Sequence, residues 1–496
     1  MQLLEILIVS VLLLWLYTLI LIRWQRGLYG LVMYLPFAGA ISLSLHLWAP
    51  SLLFKDIFFV IPLYLAFFAR VATHRESLAG FPSSVAYLML CLVVIVIVQA
   101  NNPGVTNTMM ALIGIKVWLF YLPLCLIAYA FADSGERIIS LLRLVVAVSF
   151  VPATVALLQL ALVRRFGYHA AMQMSYGEIA IQATQGFSQF QIGRGSFGRI
   201  PSIFTFVAQF FGYSLAMLPP AYILSRTDPS PRWRRTGTWA LAAAAVATFI
   251  SGARAAYVFT PLTLALMFFL DRGLGGLITA MGEATILLWI IVTVFVGTTF
   301  WAMYGVISSL LGNYATDVAY GGLVKAMQLA PLGMGTGTNT GAARYAVSDV
   351  SAFIGIENYY AKATVELGIP GLLVVAGLFL TIMLAGLKAR RTKARPVFGH
   401  CANAFLAFVI IMFLNSFKGW QIDLDPVNVY YWLFVGLLLK IPVLGRIRLA
   451  DDFTDAYSLA EIQAGNEAQK GQMWSQNGVE SITGDRRREF GSICDC

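Results

Sequence analysis

Long, uninterrupted apolar runs constrain this chain more than any other feature of its sequence. Stretches such as LMLCLVVIVIV from Leu88 and ILLWIIVTVFVGTTFW from Ile286 belong to such runs. The runs are near or above the roughly 20 residues that a bilayer-spanning helix needs. Only 12% of the 496 residues are charged and 59% are hydrophobic, whereas about a quarter of a typical soluble domain is charged. The sequence therefore predicts an all-α, polytopic integral membrane protein.

Breaks between the apolar runs define the predicted spans, and we expect about 12–13 transmembrane helices. The predicted spans are residues 3–22, 28–48, 52–71, 82–100, 109–131, 138–163, 203–225, 237–250, 255–270, 277–302, 364–386, 398–416 and 427–443. Residues 1–443 would form the transmembrane domain. Residues 444–496 are polar and mixed in charge, which is typical of a disordered tail.

The distribution of cations predicts how the bundle is oriented. Short connections rich in Arg and Lys are typical of the cytoplasmic face. Such connections contain Arg23 and Arg26, Arg70 and Arg75, RTDPSPRWRR from Arg226, Arg272, KARRTKAR from Lys388, and Arg446 with Arg448. The C-terminal tail then lies in the cytoplasm, and two long loops, at about 164–202 and 303–363, lie on the external face. We expect short helices lying on the membrane in the second loop. The net charge of +10 is explained by this rule, so we expect no nucleic-acid partner.

Cations on the external side are the informative exceptions to that rule. They are Arg164, Arg165, Arg194, Arg199, Arg254, Arg344, Lys362 and, inside a span, Lys116. Each one alone could be a snorkelling or salt-bridged side chain, but together they suggest an anionic ligand. Arginine suits phosphate because its planar fork makes bidentate contacts. Arg254 is the sharpest case, because Ser251 and Gly252 break an apolar stretch into a predicted hairpin just before it.

Three stretches together resemble the O-antigen ligase and O-antigen polymerase superfamily of membrane glycosyltransferases. They are RIPSIFTFVAQFFGYSLAMLPP from Arg199, SGARAAYV from Ser251, and APLGMGTG from Ala330 followed by ENYYAKATVELGIPGLL from Glu357. The resemblance covers roughly residues 195–440. The ligase motif has His-Asn, nine residues and Gly-x-x-Gly; here Asn358, nine residues and Gly368 to Gly371 keep its spacing. Glu357 stands where the ligases have histidine.

The resemblance implies a polyprenyl-diphosphate-linked glycan as the donor, transferred with inversion to a sugar hydroxyl at the periplasmic face of a bacterial inner membrane. It implies no metal, cofactor or nucleotide sugar, and the sequence has no metal-ligand cluster such as His-x-x-x-His. A flippase and a chain-length regulator would be partners in the pathway. Arg254 would stabilise the leaving diphosphate, with Arg199, Arg344 and Lys116 as further donor-binding candidates. Only Glu357 matches the position of the family's general base.

Several residues of the last motif have two interpretations. Glu357 is either the base or an ion-pair partner of Lys362 or Arg344 that fixes the loop. Asn358 is a helix cap or, with Lys362, part of the substrate-binding set. Gly368 and the glycine and proline after it are expected to end one segment and start the next span. GMGTGTNTG, from Gly333, looks like a phosphate-binding loop but lacks its Gly-Lys-Ser/Thr ending, so we expect a flexible turn.

The departure from histidine at Glu357 favours a polymerase over a ligase. We therefore predict polymerisation of lipid-linked repeat units into an exopolysaccharide, capsule or O-antigen. Ligase-type transfer to a lipid or protein acceptor is the alternative within the same family. Another class is a transporter or a non-catalytic binder of lipid-linked glycans; the paired broken helices that many transporters show are not apparent in the sequence.

Overall fold

The chain forms a bundle of long apolar helices, as its composition predicts. The computed structural model describes residues 2–45, 49–178, 189–192, 195–291, 305, 308, 310–341, 343, 356–391 and 396–446. Its α-helices are α1 Gln2–Ile22, α2 Trp24–Tyr34, α3 Ala38–Ser44, α4 Ile61–Ala72, α5 Ser83–Ala100, α6 Thr108–Leu119, α7 Leu124–Phe131, α8 Gly135–Phe166, α9 Tyr168–Tyr176, α10 Val207–Thr227, α11 Pro231–Ile250, α12 Ala256–Ile291, α13 Gly322–Leu329, α14 Tyr359–Arg391, α15 Pro396–Asn415 and α16 Val427–Arg446. The predicted helical membrane class is confirmed.

Within the described part of the chain, ten helical stretches are long and apolar enough to cross a membrane. They are Trp24–Ser44, Ser51–Ala72, Ser83–Ala100, Thr108–Phe131, Gly135–Phe166, Val207–Thr227, Ala256–Gly276, Tyr359–Arg391, Val397–Asn415 and Val427–Arg446. Each of them coincides with one of the predicted spans. Several combine two consecutive elements, as where a 3₁₀ turn joins α2 to α3.

The three other predicted spans have a different outcome. The span at 3–22 is covered by α1, whose described apolar stretch, Ser10–Ile22, is shorter than a span. The span at 237–250 lies in α11, which does not qualify because Arg232, Arg234 and Arg235 occupy its first turns. Of the span at 277–302, residues 277–291 continue α12 beyond a kink at Gly273, and the remainder lies outside the described residues.

The centre of the bundle is built on α10, which is buried along nearly its whole length. Small residues let its neighbours approach closely, as is common between membrane helices. A Cβ added to Gly237 of α11 would lie 2.6 Å from the Ser225 nitrogen of α10. Gly436 of α16 meets α7 in the same way, 2.2 Å from the Cys125 carbonyl oxygen. The most buried spans in the described part of the chain are α10, α16 and α15.

The two long loops contain regular structure. The first holds α9 and an antiparallel hairpin of strands β1 Gln189–Ile192 and β2 Gly195–Gly198, with Gln189 opposite Gly198. This hairpin is an addition to the predicted helical architecture. The second loop holds a π-helix at Leu310–Gly321 followed by α13, so its predicted short helices are present. Of the predicted tail, residues 447–496 lie outside the described part of the chain.

Candidate functional site

The turn between α11 and α12 is buried, except that Arg254 lies at the surface. Ser251 is fully buried, and its hydroxyl donates to the Thr248 carbonyl oxygen at 2.6 Å while accepting from the Ala253 amide at 3.2 Å. Gly252 has a φ of 68°, which only glycine adopts at little cost. Arg254 itself is exposed. The predicted tight turn between the two helices is present.

The start of α14 holds Asn358 as a helix cap. Its side-chain oxygen accepts from the amides of Tyr360 and Ala361 at 2.9 and 3.2 Å, as an N-cap residue does. Its amide nitrogen donates to the Ala319 carbonyl at 2.9 Å, which fixes the end of the π-helix against α14. Asn358 is fully buried and both ends of its amide are occupied. Its contacts therefore belong to the capping role and not to the substrate-binding role.

Glu357, immediately before this cap, lies against the end of α15. The Tyr359 amide donates to the Ser416 carbonyl at 2.9 Å, and a Cβ on Gly419 would lie 3.9 Å from the Glu357 carbonyl oxygen. Glu357 is exposed. The start of α14 is thus hydrogen-bonded to the turn that follows α15. Lys418 lies in that turn.

Lys418 is the centre of a group of four charged side chains, which we name the Lys418 cluster: Arg199, Arg254, Glu357 and Lys418. Burial lowers the pKa of the half-buried Lys418 ammonium; the Glu357 carboxylate opposes this shift, and the positive charges of Arg199 and Arg254 add to it. The structure thus brings together three of the residues predicted from the sequence. Three cations and one carboxylate give these four residues a formal charge of +2.

Lys418 did not appear among the residues predicted for the site, although a signal for it exists in the sequence. It lies in SFKGWQID, directly after the span predicted at 398–416. In the predicted orientation this position is external, so the argument that selected Arg254 applies to Lys418 equally. What the sequence does not supply is its proximity to Arg199 and Glu357, which lie far away along the chain.

Lys116 belongs to a different group of charges. Its ammonium lies 2.7 Å from Oδ2 of Asp56, a buried carboxylate that also accepts from the Tyr121 hydroxyl at 2.8 Å. Lys55, also buried, lies 3.4 Å from Oδ1 of Asp56 and 2.7 Å from Oδ2 of Asp425. Charged groups inside membrane segments usually pair in this way. The contacts of Lys116 are those of an ion-paired residue, the alternative to the predicted donor-binding role.

Lys362 is fully buried and forms an ion pair with Asp423. Its ammonium lies over the ring of Trp118, 4.7 Å from the ring centre, an arrangement that adds cation–π attraction. Burial raises the pKa of the Asp423 carboxyl, and Lys362 opposes the shift. Lys362 therefore has structural contacts, and the carboxylate it pairs with is Asp423, whereas Glu357 was the alternative weighed from the sequence.

The glycine-rich segment from Gly333 was expected to be a flexible turn; it does form a turn, and that turn is packed in the protein interior. Its threonines and asparagine at 336–340 are almost completely buried. Glu366 of α14 binds it from within: one carboxylate oxygen accepts from the Gly337 amide at 3.1 Å and from Trp118 at 2.7 Å. The other accepts from the Asn339 amide and the Thr340 hydroxyl, both at 2.9 Å. A buried carboxylate saturated with donors holds the loop in one conformation.

Two glycines make this packing possible. Gly337 has a φ of 94°, and a Cβ there would lie 2.2 Å from the Met110 carbonyl oxygen of α6. Gly368 interrupts α14 with a φ of 75°, where a Cβ would lie 2.6 Å from the Leu332 carbonyl carbon. Gly368 thus separates the short buried helix Tyr359–Leu367 from the membrane-spanning part of α14. This is the structural role predicted for it.

Arg344 and Arg194 lie outside the described residues. Among those that are described, no group of three His, Cys, Asp or Glu side chains is placed to hold a metal ion. No family model matches the chain, and no curated protein is similar enough to be counted as a relative. The case for a function therefore rests on the Lys418 cluster and its chemistry.

Proposed function

We propose that this chain is a membrane glycosyltransferase that polymerises polyprenyl-diphosphate-linked repeat units on the external face of a bacterial inner membrane. The observation that carries the proposal is the Lys418 cluster, in which Lys418 lies within electrostatic range of two arginines and of the exposed Glu357 carboxylate. A diphosphate is the ligand that such a set of cations binds best, since arginine forks match its oxygens.

The cluster supplies the two functions that the reaction needs. The acceptor hydroxyl oxygen forms a bond to the anomeric carbon as the bond from that carbon to the diphosphate oxygen breaks, which inverts the configuration. Arg254, Arg199 and Lys418 stabilise the negative charge that develops on the departing diphosphate. Glu357 accepts the proton of the attacking hydroxyl, as a general base does. The products are the extended lipid-linked glycan and a polyprenyl diphosphate.

Two further observations support the orientation in this proposal. The cluster lies where α11 and α15 end and where α12 and α14 begin. The opposite ends of those helices hold Arg232, Arg234 and Arg235 at the start of α11, and Lys388, Arg390 and Arg391 at the end of α14. An excess of cations there is what the positive-inside rule expects of the cytoplasmic side. The cluster would then face the periplasm, where lipid-linked repeat units are polymerised.

The first test measures the lipid-linked and exported polysaccharide of a deletion strain that is complemented with the wild-type or a variant gene. The variants are Glu357→Gln, Glu357→His and Arg254→Ala, with Arg235→Ala as a matched control for loss of an exposed arginine at the other end. We expect single lipid-linked repeat units with Glu357→Gln and Arg254→Ala, and long chains with Arg235→Ala. We expect a drop in rate of at least about 100-fold for Arg254→Ala, the usual effect of removing one group that stabilises developing charge.

Each alternative function has its own outcome in this test. Long chains that persist on the lipid carrier in the deletion strain would show that transfer to an acceptor is the missing step, and a ligase would replace the polymerase. Purified wild-type protein in nanodiscs that binds the donor without transferring it would indicate a non-catalytic binder. Normal polymer with Arg254→Ala at wild-type protein level would refute the assignment of the cluster.

A further inference from the structure

A second polar site lies in a cleft that we name the Lys55 cleft. Its empty volume, including its open mouth, is about 440 Å³. Its polar lining residues are Tyr34, Ser42, Ser51, Lys55, Thr205, Gln209 and Asp425. None of them has a role in the proposed reaction.

The wall of the cleft contains polar atoms that are held in position but have no hydrogen-bond partner among the described residues. The ammonium of Lys55, which is 2% exposed, anchors Asp425 through Oδ2 at 2.7 Å. The other oxygen of that carboxylate, Oδ1, is buried and has no hydrogen-bond partner among the described residues. The same is true of the Tyr34 hydroxyl. Buried polar groups are nearly always satisfied, so a donor and an acceptor here point to a ligand that supplies both.

The charges around the cleft indicate a neutral ligand. Lys55 is matched by Asp425 and Asp56, and Asp56 is matched in turn by Lys116 at 2.7 Å. These two cations and two carboxylates cancel formally, so the cleft has no net charge with which to attract an ion. Two serine hydroxyls, Ser42 and Ser51, 2.9 Å apart, add groups that both donate and accept.

The composition of the lining suits a sugar ring. Sugar hydroxyls both donate and accept hydrogen bonds, as this lining requires, and the faces of the ring are apolar. Phe204, Leu35 and Pro426 supply apolar surface to the same cleft. A carboxylate, a hydroxyl and apolar side chains in one cleft can contact both the hydroxyl groups and the apolar face of one sugar ring.

The position of the cleft relates it to the Lys418 cluster. Thr205 follows Arg199 by six residues and Asp425 follows Lys418 by seven, and a chain of that length reaches at most about 25 Å. The same two segments thus line the cleft and contribute to the cluster. An oligosaccharide can bridge such a separation.

We infer that the Lys55 cleft binds a neutral sugar ring and that, resting on the proposed function, this ring belongs to the acceptor glycan. The binding site is formed by Asp425 and Tyr34, while Lys55 is a positioning residue that holds the Asp425 carboxylate. The donor diphosphate binds at the Lys418 cluster. The two sites would together set the acceptor hydroxyl against the anomeric carbon.

The test measures binding of free D-glucose, D-galactose, D-mannose and N-acetyl-D-glucosamine by saturation-transfer NMR. The full-length protein is held in lipid nanodiscs prepared without glycoside detergents, which would compete for the cleft. Tyr34→Phe is the decisive variant, because a hydroxyl without a protein partner can be removed at little cost to folding. Tyr29→Phe is its matched control on the same helix, since the Tyr29 hydroxyl contacts Ser140 instead.

We expect at least one of the four sugars to bind, with affinity about fivefold weaker in Tyr34→Phe, the value of one hydrogen bond, and unchanged in Tyr29→Phe. Asp425→Asn is expected to weaken binding further, and Ser51→Ala, which leaves the ion pairs intact, to do so if Asp425→Asn does not fold. Absence of binding by all four sugars, or equal binding by wild type and Tyr34→Phe, would overturn the inference.

Failure of this inference can be told apart from failure of the proposed function. Arg254-dependent transfer without sugar binding in the cleft would refute the acceptor site and leave the transferase intact. Sugar binding that depends on Tyr34, in a protein that performs no transfer, would refute the transferase and leave a saccharide site. Under both proposals, Tyr34→Phe raises the KM for the acceptor and leaves donor binding unchanged.

Discussion

Glu357 and Glu366 lie within ten residues of each other but belong to two regions that differ in the exposure of their charged side chains. Glu357 is exposed in the Lys418 cluster, where three cations accompany it. Glu366, at the other end of the short buried helix, lies in a core where each carboxylate oxygen accepts two hydrogen bonds. We name this second region the Glu366 core; it comprises the buried helix Tyr359–Leu367, the loop at 333–341 and Trp118.

The difference teaches how to separate structural from functional charges in a membrane protein. Charges of the Glu366 core are buried and satisfied: Glu366 accepts four hydrogen bonds, and Lys362 pairs with Asp423. Their removal should therefore unfold the protein. Charges of the Lys418 cluster include the exposed Arg254 and Glu357 and leave a positive excess, so their removal should change binding and rate with little change in stability. The predictions below test this division.

The largest loss of stability is expected for Glu366→Ala. The change removes the acceptors of four hydrogen bonds and leaves the Trp118 indole and the Gly337 and Asn339 amides buried. Because each unsatisfied buried donor costs about 1–3 kcal/mol, we expect a loss of at least about 3 kcal/mol or failure to accumulate. Thermal unfolding in detergent measures this, with Glu136→Ala, an exposed acid at the start of α8, as the control. Unchanged stability of Glu366→Ala would contradict the division between structural and functional charges.

The next effect concerns the pair of Lys362 and Asp423. Lys362→Met leaves a buried carboxylate without its partner, which costs about 3–5 kcal/mol. The double variant Lys362→Met with Asp423→Leu removes both charges and should recover most of that loss. If the double variant is as unstable as the sum of the two single ones, the pair is not the source of the stability.

The pH dependence of Lys362→Met has a defined sign. Burial raises the pKa of Asp423 above its usual value of 3.8, and losing Lys362 removes the influence that opposed this shift. The folded state then holds a proton over a pH range in which the unfolded state does not. The free energy of unfolding must fall as pH rises through that range, from 3.8 to the raised pKa. We therefore expect Lys362→Met to be more strongly destabilised, relative to wild type, at neutral than at acidic pH.

A smaller effect, on binding and not on stability, is expected at Lys418. Lys418→Met should weaken donor binding about tenfold, equivalent to about 1.4 kcal/mol, because one of three cations is lost. Burial lowers the pKa of Lys418, so its charge and its contribution to donor binding disappear as pH rises through that lowered pKa. Lys418→Arg keeps its charge there, and should bind the donor at alkaline pH where the wild type weakens. Identical pH profiles for wild type and Lys418→Arg would place Lys418 outside the donor site.

The sequence predicted the membrane helices because apolar length is a local property. It also singled out Arg254 and Glu357, since a turn motif and a family resemblance are read along the chain, and their roles stay predictions. It did not predict that the glycine-rich loop is buried, because the loop packs against Glu366 and α6, which are remote in sequence. Nor did it predict the burial of Lys362: isolated lysines are almost never buried, and the partner that allows it, Asp423, follows another helix.

Asn358 lies at the boundary between the two regions and gives the smallest and most specific test. Asn358→Ala removes the cap of α14, which is expected to cost about 1 kcal/mol and to lower the unfolding temperature by a few degrees. Asn358→Asp keeps the capping oxygen and should recover most of that loss, while it gives up the amide that donates to Ala319. If Asn358 only caps the helix, the affinity for the acceptor glycan is the same in all three proteins. A drop in acceptor affinity in Asn358→Asp at normal stability would instead assign Asn358, like Glu357, to the substrate site.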